Sequence, residues 1–316
     1  MRIFSLFLCA TSIGLAALAS STPAHAEAGP ASYAIADSTS GFMLEGSNPD
    51  RKLQIGSLTK IATAVIVLDW SESKHVDLSE QAIVPDSAAP LNTTGNGVGF
   101  HPGDRCSLKD LLYAALLQSD NQAAQTLASH VGHALGGEKD SVTYFVAQMN
   151  ALARRLEMHH TRFLNAHGLD NLESSLPYST ARDISLLTRY AVQHPAFQFL
   201  VSQKERRITI TTSGGEVSNY LLKNTNELLG VDNIDGVKTG TTRKAGQCVA
   251  ISAARPPESR KEGDQFVISP RRLNVVVLGS TDRFAVARQL LSHGWSLYEQ
   301  WTAAGRPVKN WKPTAK

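Results

Sequence analysis

The feature that most constrains this fold is a helix-compatible segment that is apolar on every side. It runs from Ser57 to about Trp70, and residues 61–68 within it are Ile, Ala, Thr, Ala, Val, Ile, Val and Leu. A helix without a polar face cannot lie at a surface, so it must pass through the middle of a domain. Because 42% of the 316 residues are hydrophobic and 19% are charged, the chain can enclose such a helix in a sizeable core.

The segments around this helix predict an α/β protein, in which an antiparallel sheet is flanked by helices and a helical subdomain is added. The charged stretch from Arg255 to Arg272 is expected to be the tip of a long hairpin. Periodicity and turn residues predict, in chain order, strands at 32–37 and 42–45, helices at 107–118, from about 122, at 141–156 and at 180–194, strands at 207–211, 247–253 and 273–278, and a helix at 284–301.

The first 26 residues have the layout of a secretory signal peptide. Arg2 gives a positive start, the stretch from Ile3 to Leu18 is mostly apolar, and Ala24-His25-Ala26 is a small-residue cleavage site. The apolar run is shorter than the roughly 20 residues of a spanning helix, so no stable membrane anchor is expected. We expect a secreted, periplasmic or cell-wall-associated protein with a signal peptide at 1–26, a folded domain at 27–303 and a flexible tail at 304–316.

Cleavage after Ala26 would make Glu27 the first residue of the exported protein. Intact-mass analysis of exported protein is expected to show the loss of residues 1–26. A mass that retains Met1 to Ala26 would contradict the assignment.

Charge and the spacing of histidines and cysteines exclude several classes of function. The formal net charge is +3 and no block of Lys and Arg residues is present, which argues against nucleic-acid binding. No His-Glu-x-x-His or Cys-x-x-Cys spacing occurs, so no metal or other cofactor is expected. Cys9 lies in the expected signal peptide, whereas Cys106 and Cys248 could pair in an oxidising compartment or stay as thiols.

The first short motif with chemical potential is Ser57-Leu58-Thr59-Lys60, at the start of the apolar helix. Residues three apart share a helix face, so the hydroxyl and the amine are expected to be neighbours. A serine hydroxyl is a weak nucleophile until a base takes its proton, and a lysine can be that base when burial lowers its pKa. The alternative is an N-capping serine followed by a surface lysine.

The second motif, Ser119-Asp120-Asn121, falls between two predicted helices. A loop at this place can point a hydroxyl and a carboxamide into a cleft. The alternative is a plain helix-capping turn, because Ser, Asp and Asn all favour N-caps.

The third motif, Lys238-Thr239-Gly240, is followed by Thr241 and Thr242. A strand edge with this sequence offers an ammonium and a hydroxyl to a substrate carboxylate, and Gly240 would let a substrate approach the backbone closely. The alternative is a simple turn into the next strand.

In this order the three motifs form the signature of penicillin-binding proteins and class A β-lactamases. From about Ser32 to Trp301 the chain resembles the low-molecular-mass penicillin-binding proteins, the D-alanyl-D-alanine carboxypeptidase family of serine peptidases. The resemblance implies a β-lactamase/transpeptidase-like fold, peptidoglycan stem peptides as substrates and β-lactams as covalent inhibitors. It also rests on the segments 165–169 (Asn-Ala-His-Gly-Leu), 178–183 (Tyr-Ser-Thr-Ala-Arg-Asp), 224–229 (Asn-Thr-Asn-Glu-Leu-Leu) and 235–240 (Asp-Gly-Val-Lys-Thr-Gly).

The resemblance implies a role for each residue at the reacting end of the site. Ser57 would attack the peptide carbonyl and become acylated, and Lys60 would be its general base. Ser119 would hydrogen-bond within the Ser57–Lys60 network and relay protons, while Asn121 would hold the substrate backbone. The backbone N–H groups of Ser57 and Thr241 would form the oxyanion hole.

At the other end of the site, the resemblance implies that Lys238 adds positive potential and that Thr239 binds the terminal carboxylate. Arg283 precedes the last helix, where the family has a carboxylate-binding arginine, and a planar guanidinium suits a carboxylate. An ordinary surface residue at a helix start is an equal alternative for Arg283.

Two departures from the family pattern concern Gly56 and the length of the chain. The family usually has alanine before the nucleophile, a small difference that should not block the chemistry. The chain ends about 15 residues after the last predicted helix, whereas many members continue into a β-rich domain and an amphipathic anchor. In this respect the chain resembles the D,D-endopeptidase members, which cut cross-links.

A D,D-carboxypeptidase is the preferred interpretation, and a D,D-endopeptidase is second. The room beyond the carboxylate would separate these two activities, and the 255–272 segment would widen or narrow the groove there. A β-lactamase is third, because no Glu-x-x-Leu-Asn precedes the third motif and Glu173 lies in a different setting. A catalytically inactive muropeptide sensor is last, since it could lose Ser57, Lys60 or Lys238 and none of them is lost.

Overall fold

The structure is a computed structural model that describes residues 29–91, 97–170, 175–262, 265–309 and 311. The expected signal peptide at 1–26, Glu173 and most of the tail beyond 309 lie outside the described residues. Within them, no helix combines the length and the apolar character that crossing a bilayer requires.

Two antiparallel sheets organise the described chain. Their strands are β1 (Ser32–Asp37), β2 (Met43–Ser47), β3 (Gln81–Ile83), β4 (Arg105–Ser107), β5 (Glu205–Thr211), β6 (Val217–Lys223), β7 (Ile234–Thr242), β8 (Gly246–Glu262) and β9 (Gln265–Ser280). The larger sheet has the order β2-β1-β9-β8-β7, so the first and last parts of the chain are neighbours in it. The smaller sheet has the order β3-β4-β5-β6.

The described residues also form seven α-helices. They are α1 (Thr59–Lys74), α2 (Leu108–Leu117), α3 (Asn121–Ala134), α4 (Ser141–Arg155), α5 (Ala181–Gln193), α6 (Pro195–Val201) and α7 (Arg283–Ala303). The larger sheet contacts α5 and α7, and its strands alternate between two apolar clusters: Ala250 and Val276 belong to one, Val249 and Val275 to the other. This alternation follows from the two-residue period of a strand that is covered on both faces. The α/β prediction, with helices against an antiparallel sheet, is confirmed.

The apolar helix lies at the centre of the helical part, as its sequence predicts. Helix α1 contacts α2, α3, α4, α5 and α6, and every residue from 59 to 68 in it is buried. Burying one Val, Leu or Ile side chain contributes roughly 1.5–3 kcal/mol, so this helix is a main source of stability. It begins at Thr59, and Ser57 lies on the preceding 3-10 turn, Gly56–Leu58.

The helix boundaries follow from capping residues that the sequence displays. Ser107 precedes α2, and its hydroxyl accepts the N–H of Asp110 at 3.0 Å. Asp120 precedes α3 and accepts the N–H of Ala123 at 2.7 Å. Each such cap contributes about 1 kcal/mol, because it satisfies an amide that the helix leaves unpaired.

The long hairpin expected around Arg255 to Arg272 is present, but the expected extent of its tip and its expected place beside the groove are wrong. Strands β8 and β9 stay paired as far as Glu262 and Gln265, so this charged, proline-containing stretch is a two-stranded ribbon and not a loop. Cys248 lies opposite Gly240, so Arg255 is seven residues, or about 23 Å, further along the strand. The ribbon therefore leaves the sheet at the end remote from the third motif and cannot border that site.

The two remaining cysteines are unpaired and buried. Cys106 lies on β4 and Cys248 on β8, so they belong to different sheets. Burial raises the pKa of Cys106 to about 12 and that of Cys248 to about 11. Neither thiol therefore forms the reactive thiolate at neutral pH.

Candidate active site

All three motifs meet at one cleft between the helical part and the edge strand β7. The cleft holds about 150 Å³, and the predicted residues that line it are Ser57, Ser119, Asn121, Thr239, Gly240, Thr241 and Arg283. A larger cavity of about 640 Å³ lies between the 232–233 turn and α7 and contains none of them. Convergence of polar groups, and not size, identifies the candidate site here.

Lys60 is completely buried directly behind Ser57. Its Nζ makes three hydrogen bonds, at 2.9 Å with Ser57 Oγ, 2.7 Å with Asn121 Oδ1 and 2.8 Å with the carbonyl oxygen of His167. These contacts aim the amine at the hydroxyl. The alternative of a surface lysine is therefore excluded for Lys60.

Burial lowers the pKa of Lys60 to about 7, and the Asp120 carboxylate opposes part of this shift. Desolvation penalises the ammonium form, because charge is poorly stabilised away from water. A large fraction of Lys60 is therefore neutral near pH 7, and a neutral amine can accept the proton of Ser57. Burial also raises the pKa of Asp120, although the amides of Ala123 and Val98 favour its ionised form.

The segment 165–169 builds the floor of the site, although the sequence assigned no role to it. His167 supplies the carbonyl that holds Lys60, and Ala166 supplies one that accepts the hydroxyl of Thr63 at 2.6 Å. Asn165 Oδ1 accepts the N–H of Gly168 at 2.6 Å and shapes this turn. Family resemblance was the only signal for the segment, because no local pattern reveals a carbonyl that faces a residue 107 positions away.

Gly168 lets this turn pass directly against the nucleophile turn. It has φ +89, and a Cβ there would lie 2.0 Å from the carbonyl oxygen of Gly56. We expect Gly168→Ala to lower the melting temperature and the rate of β-lactam acylation, since either the backbone of the Ser57 turn or that of Gly168 must shift. Strain in this region of φ alone costs about 1–3 kcal/mol.

Gly136→Ala is the matched control, because Gly136 has φ +106 and a Cβ there would have no neighbour within 4 Å among the residues described. Differential scanning calorimetry and a fluorescent-penicillin assay would measure both variants. An equal loss in the two proteins would show that backbone strain, and not contact with the nucleophile turn, accounts for the effect.

Gly240 lines the cleft and also has a structural role that the sequence did not predict. A Cβ at Gly240 would lie 2.7 Å from the carbonyl oxygen of Ile55 and 3.1 Å from the backbone nitrogen of Ser57. The residue is therefore small because β7 packs against the nucleophile turn. Gly56 has φ +53, and a Cβ there would lie 3.2 Å from the backbone nitrogen of Thr241. The amides of Ser57 and Thr241 thus belong to two backbones in close contact, as an oxyanion hole requires.

Ser119 lines the cleft but does not enter the predicted hydrogen-bond network. In the described part of the chain no hydrogen bond joins its hydroxyl to Ser57 or Lys60. The cap of α3 explains this, because Asp120 accepts amides from both Ala123 and Val98 while Ser119 adopts φ +66. Asn121, for which only substrate binding was predicted, contacts Lys60 instead, so its carboxamide orients the base as well as facing the cleft.

Thr239 and Lys238 lie on β7 at the other end of the cleft. Thr239 Oγ1 is 2.7 Å from Thr225 Oγ1. Thr225 also lines the cleft, and it lies in the 224–229 segment, to which the sequence assigned no role. Lys238 is buried beneath the surface, and its Nζ donates to the carbonyl oxygen of Thr239 at 3.0 Å. Burial, with the nearby charges of Lys60 and Arg283, holds the pKa of Lys238 well below its usual value.

Arg283 is the first residue of α7 and reaches into the cleft. Its Nη1 donates to the carbonyl oxygen of Gly240 at 3.1 Å and to Thr241 Oγ1 at 2.7 Å. Its guanidinium lies 4.8 Å from the centre of the Phe284 ring. These contacts place Arg283 in the cleft wall and exclude the alternative of an ordinary surface residue.

A nucleophile turn, a buried lysine and a strand-edge Lys-Thr-Gly segment on this fold define the class of penicillin-binding serine peptidases. The model of the D-alanyl-D-alanine carboxypeptidase family matches residues 18–260. This chain belongs to that family.

The relatives include both carboxypeptidases and endopeptidases. The chain is 34% identical over 284 residues to the carboxypeptidase DacC of Escherichia coli, a match that covers 88% of this chain and 63% of DacC. It is 33% identical over 237 residues to a D-alanyl-D-alanine endopeptidase of E. coli, covering 74% of this chain and 70% of that one. The chain thus spans less than two thirds of DacC.

Among solved structures, the crystal structure of the Streptomyces K15 DD-transpeptidase is similar to this one. The TM-score is 0.70 and the identity 26%, over 86% of this chain and 97% of that one. This likeness supports the transpeptidase-like fold that the motifs imply.

Proposed function

We propose that this chain is a serine D,D-carboxypeptidase that removes the terminal D-Ala from peptidoglycan stem peptides. The observation that carries the proposal is the 2.9 Å contact between Ser57 Oγ and the buried Lys60 Nζ. A neutral amine at this distance can act as a general base, and burial holds the pKa of Lys60 at about 7.

In the first half of the reaction, Lys60 takes the proton of Ser57 as Oγ attacks the carbonyl carbon before the terminal residue. The N–H groups of Ser57 and Thr241 stabilise the oxyanion that forms. The C–N bond then breaks, the departing amine of D-Ala takes a proton, and an ester on Ser57 remains. Ser119 is suited to relay that proton because it lines the cleft beside Ser57.

In the second half, water attacks the ester and a base removes its proton, which releases the shortened peptide and restores Ser57. The same groups serve both halves, as in other covalent mechanisms. Asn121 faces the substrate backbone and holds Lys60 through its Oδ1.

The terminal carboxylate is proposed to bind at Thr239 and Arg283. Thr239 presents a hydroxyl in the cleft and the Arg283 guanidinium supplies positive charge there, whereas burial disfavours the charged form of Lys238 behind them. Gly240 keeps β7 against the Ser57 turn, so the carboxylate end and the nucleophile are held in one geometry.

We expect Arg283→Ala to lower kcat/KM on a D-Ala-terminated peptide roughly 10- to 100-fold, the equivalent of one charge-assisted hydrogen bond of about 1.5–3 kcal/mol. Arg288→Ala is the control, because Arg288 lies on the same helix, is half exposed and pairs with Asp232 away from the cleft. Steady-state kinetics of D-Ala release would compare the two variants. Unchanged kinetics for Arg283→Ala would remove it from the carboxylate site.

A D,D-endopeptidase is the second candidate, supported by the 33% identity with the E. coli endopeptidase over 74% of this chain. An acceptor stem keeps a carboxyl group on its D-centre, so the same carboxylate site would serve. Release of D-Ala from a monomeric pentapeptide, with a cross-linked dimer left whole, would support the carboxypeptidase. Dimer cleavage without D-Ala release would reverse the order.

The location of the protein is proposed from this substrate, which is part of the cell wall. We propose export by the 1–26 signal peptide to the periplasm or the cell wall, with 27–303 as the peptidase domain and β-lactams as covalent inhibitors. The support is the sequence pattern of the leader together with a family of cell-wall peptidases.

A further inference from the structure

Strand β6 is an edge of the smaller sheet. The hydrogen bonds at its two ends show which of its residues bond to β5 and which point to the free edge, an alternation that we call its phase. Thr212 donates its N–H to the carbonyl of Glu216 at 2.8 Å, and Asn224 donates to the carbonyl of Lys204 at 2.8 Å. Even-numbered residues therefore bond to β5. Because bonded and non-bonded residues alternate in an antiparallel pair, the N–H and C=O groups of residues 217, 219 and 221 point to the free edge.

One side-chain contact confirms this phase. Lys223 is odd-numbered, and its N–H donates outward to Gln118 Oε1 at 3.4 Å. Gln118 lies at that end of the strand, where its Nε2 also donates to the Tyr220 hydroxyl at 2.9 Å. The elements of the described chain with the most contact to β6 are β5 and α2. The backbone groups from Val217 to Leu221 therefore face outward without cover from the described elements.

This edge lacks the features that normally protect a free strand. From Val217 to Leu221 it has no proline and no charge, and the side chains of these two residues are 65% and 43% exposed. The β8–β9 ribbon, also unpaired at its edges, carries Pro256, Pro257 and Pro270 and many charged residues. Prolines and charges block edge-to-edge pairing, so the chain protects one long edge and leaves β6 open.

We propose that β6 pairs with β6 of a second copy of this chain, antiparallel and centred on Asn219. This register places Val217 opposite Leu221 of the second copy, and Leu221 opposite its Val217. In this register each odd-numbered residue, whose N–H and C=O point outward, lies opposite an odd-numbered residue of the second copy. Each such pair can therefore exchange two backbone hydrogen bonds. The contact is isologous, as a two-fold dimer requires, and the paired segment from Val217 to Leu221 brings no like charges together.

The contact is small, because one pair of short strands buries less than a standard interface of roughly 1,600 Å². We therefore expect reversible dimers with a dissociation constant on the order of micromolar or weaker. Gln118 also lines the catalytic cleft, so the joined strands run from one cleft to the other. The two Lys223 residues would be about 27 Å apart at 3.3–3.4 Å per residue.

Sedimentation velocity of the mature protein from about 1 to 500 µM tests the association, since mass action shifts a micromolar equilibrium across that range. Dimers are expected to form as concentration rises. The double variant Val217→Lys, Leu221→Lys opposes like charges across the joint and should weaken association at least tenfold. The matched control is Phe266→Lys, Ile268→Lys on the ribbon, where 71% and 66% of the side chains are exposed, and it should dimerise normally.

Asn219→Cys tests the register. Directly opposed residues in a bonded antiparallel pair have Cα atoms about 5.5 Å apart, within the range of a disulfide. Mild oxidation should lock Asn219→Cys as a dimer but not Ser218→Cys, which faces Tyr220 of the second copy. The buried thiols of Cys106 and Cys248 do not compete. The proposal would be overturned by a protein that stays monomeric at every concentration. It would also be overturned by dimers that Val217→Lys, Leu221→Lys does not weaken and Asn219→Cys does not lock. Neither result bears on the peptidase activity.

Discussion

A Ser57→Ala protein is expected to take up no labelled penicillin covalently, whereas the unsubstituted protein is acylated at Ser57 and at no other residue. A β-lactam presents a carbonyl that an activated hydroxyl attacks, and the acyl group stays on the attacking oxygen. Ser57 is the cleft hydroxyl within 3 Å of a buried amine, since Lys60 Nζ lies 2.9 Å from its Oγ. Removing that oxygen leaves no atom to form the ester.

Intact-mass measurement followed by peptide mapping would test this prediction. Ser292→Ala is the matched control, because Ser292 is exposed on α7 outside the catalytic cleft and should leave acylation at its normal rate. Labelled penicillin found covalently on the Ser57→Ala protein would refute the assignment of the nucleophile.

Lys60→Met should slow acylation by about 10²–10⁴-fold, the usual contribution of a general base. Methionine is unbranched and apolar, so it can occupy the buried space of Lys60 while removing the base. Lys60→Arg is the complementary variant, because it retains a cation and an arginine does not deprotonate in proteins. If positive charge alone mattered, Lys60→Arg would be nearly normal, whereas a requirement for a base predicts that both variants are slow.

The same role of Lys60 as a base predicts how the acylation rate of the unsubstituted protein depends on pH. Burial lowers the pKa of Lys60 to about 7, so below this pH the amine is an ammonium that cannot accept the proton of Ser57. The acylation rate should therefore rise with pH, reach half of its limiting value near pH 7 and then level off. Stopped-flow acylation across pH 5–9 would measure it, and a rate independent of pH in that range would remove Lys60 as the titrating base.

Much of the fold could be predicted from local sequence. The apolar segment at 61–68 could only be a buried central helix, and Ser107 with Asp110 marked the start of the next one. Both inferences depend on residues within one or two turns of each other, where periodicity and capping act directly. The 255–272 stretch was misplaced because a charged, proline-containing sequence suits a solvated ribbon as well as a loop, and only pairing distinguishes them.

The sequence by itself determined which groups carry the chemistry: a serine three residues before a lysine, a polar turn between two helices, and a strand-edge Lys-Thr-Gly segment. Only the tertiary structure decided how they work together. Lys60 is held by Asn121 and by the carbonyl of His167, which are 61 and 107 residues away, and its pKa falls because the packed helices exclude water. Local propensity acts over a few residues, whereas desolvation and long-range contacts exist only after the chain has packed.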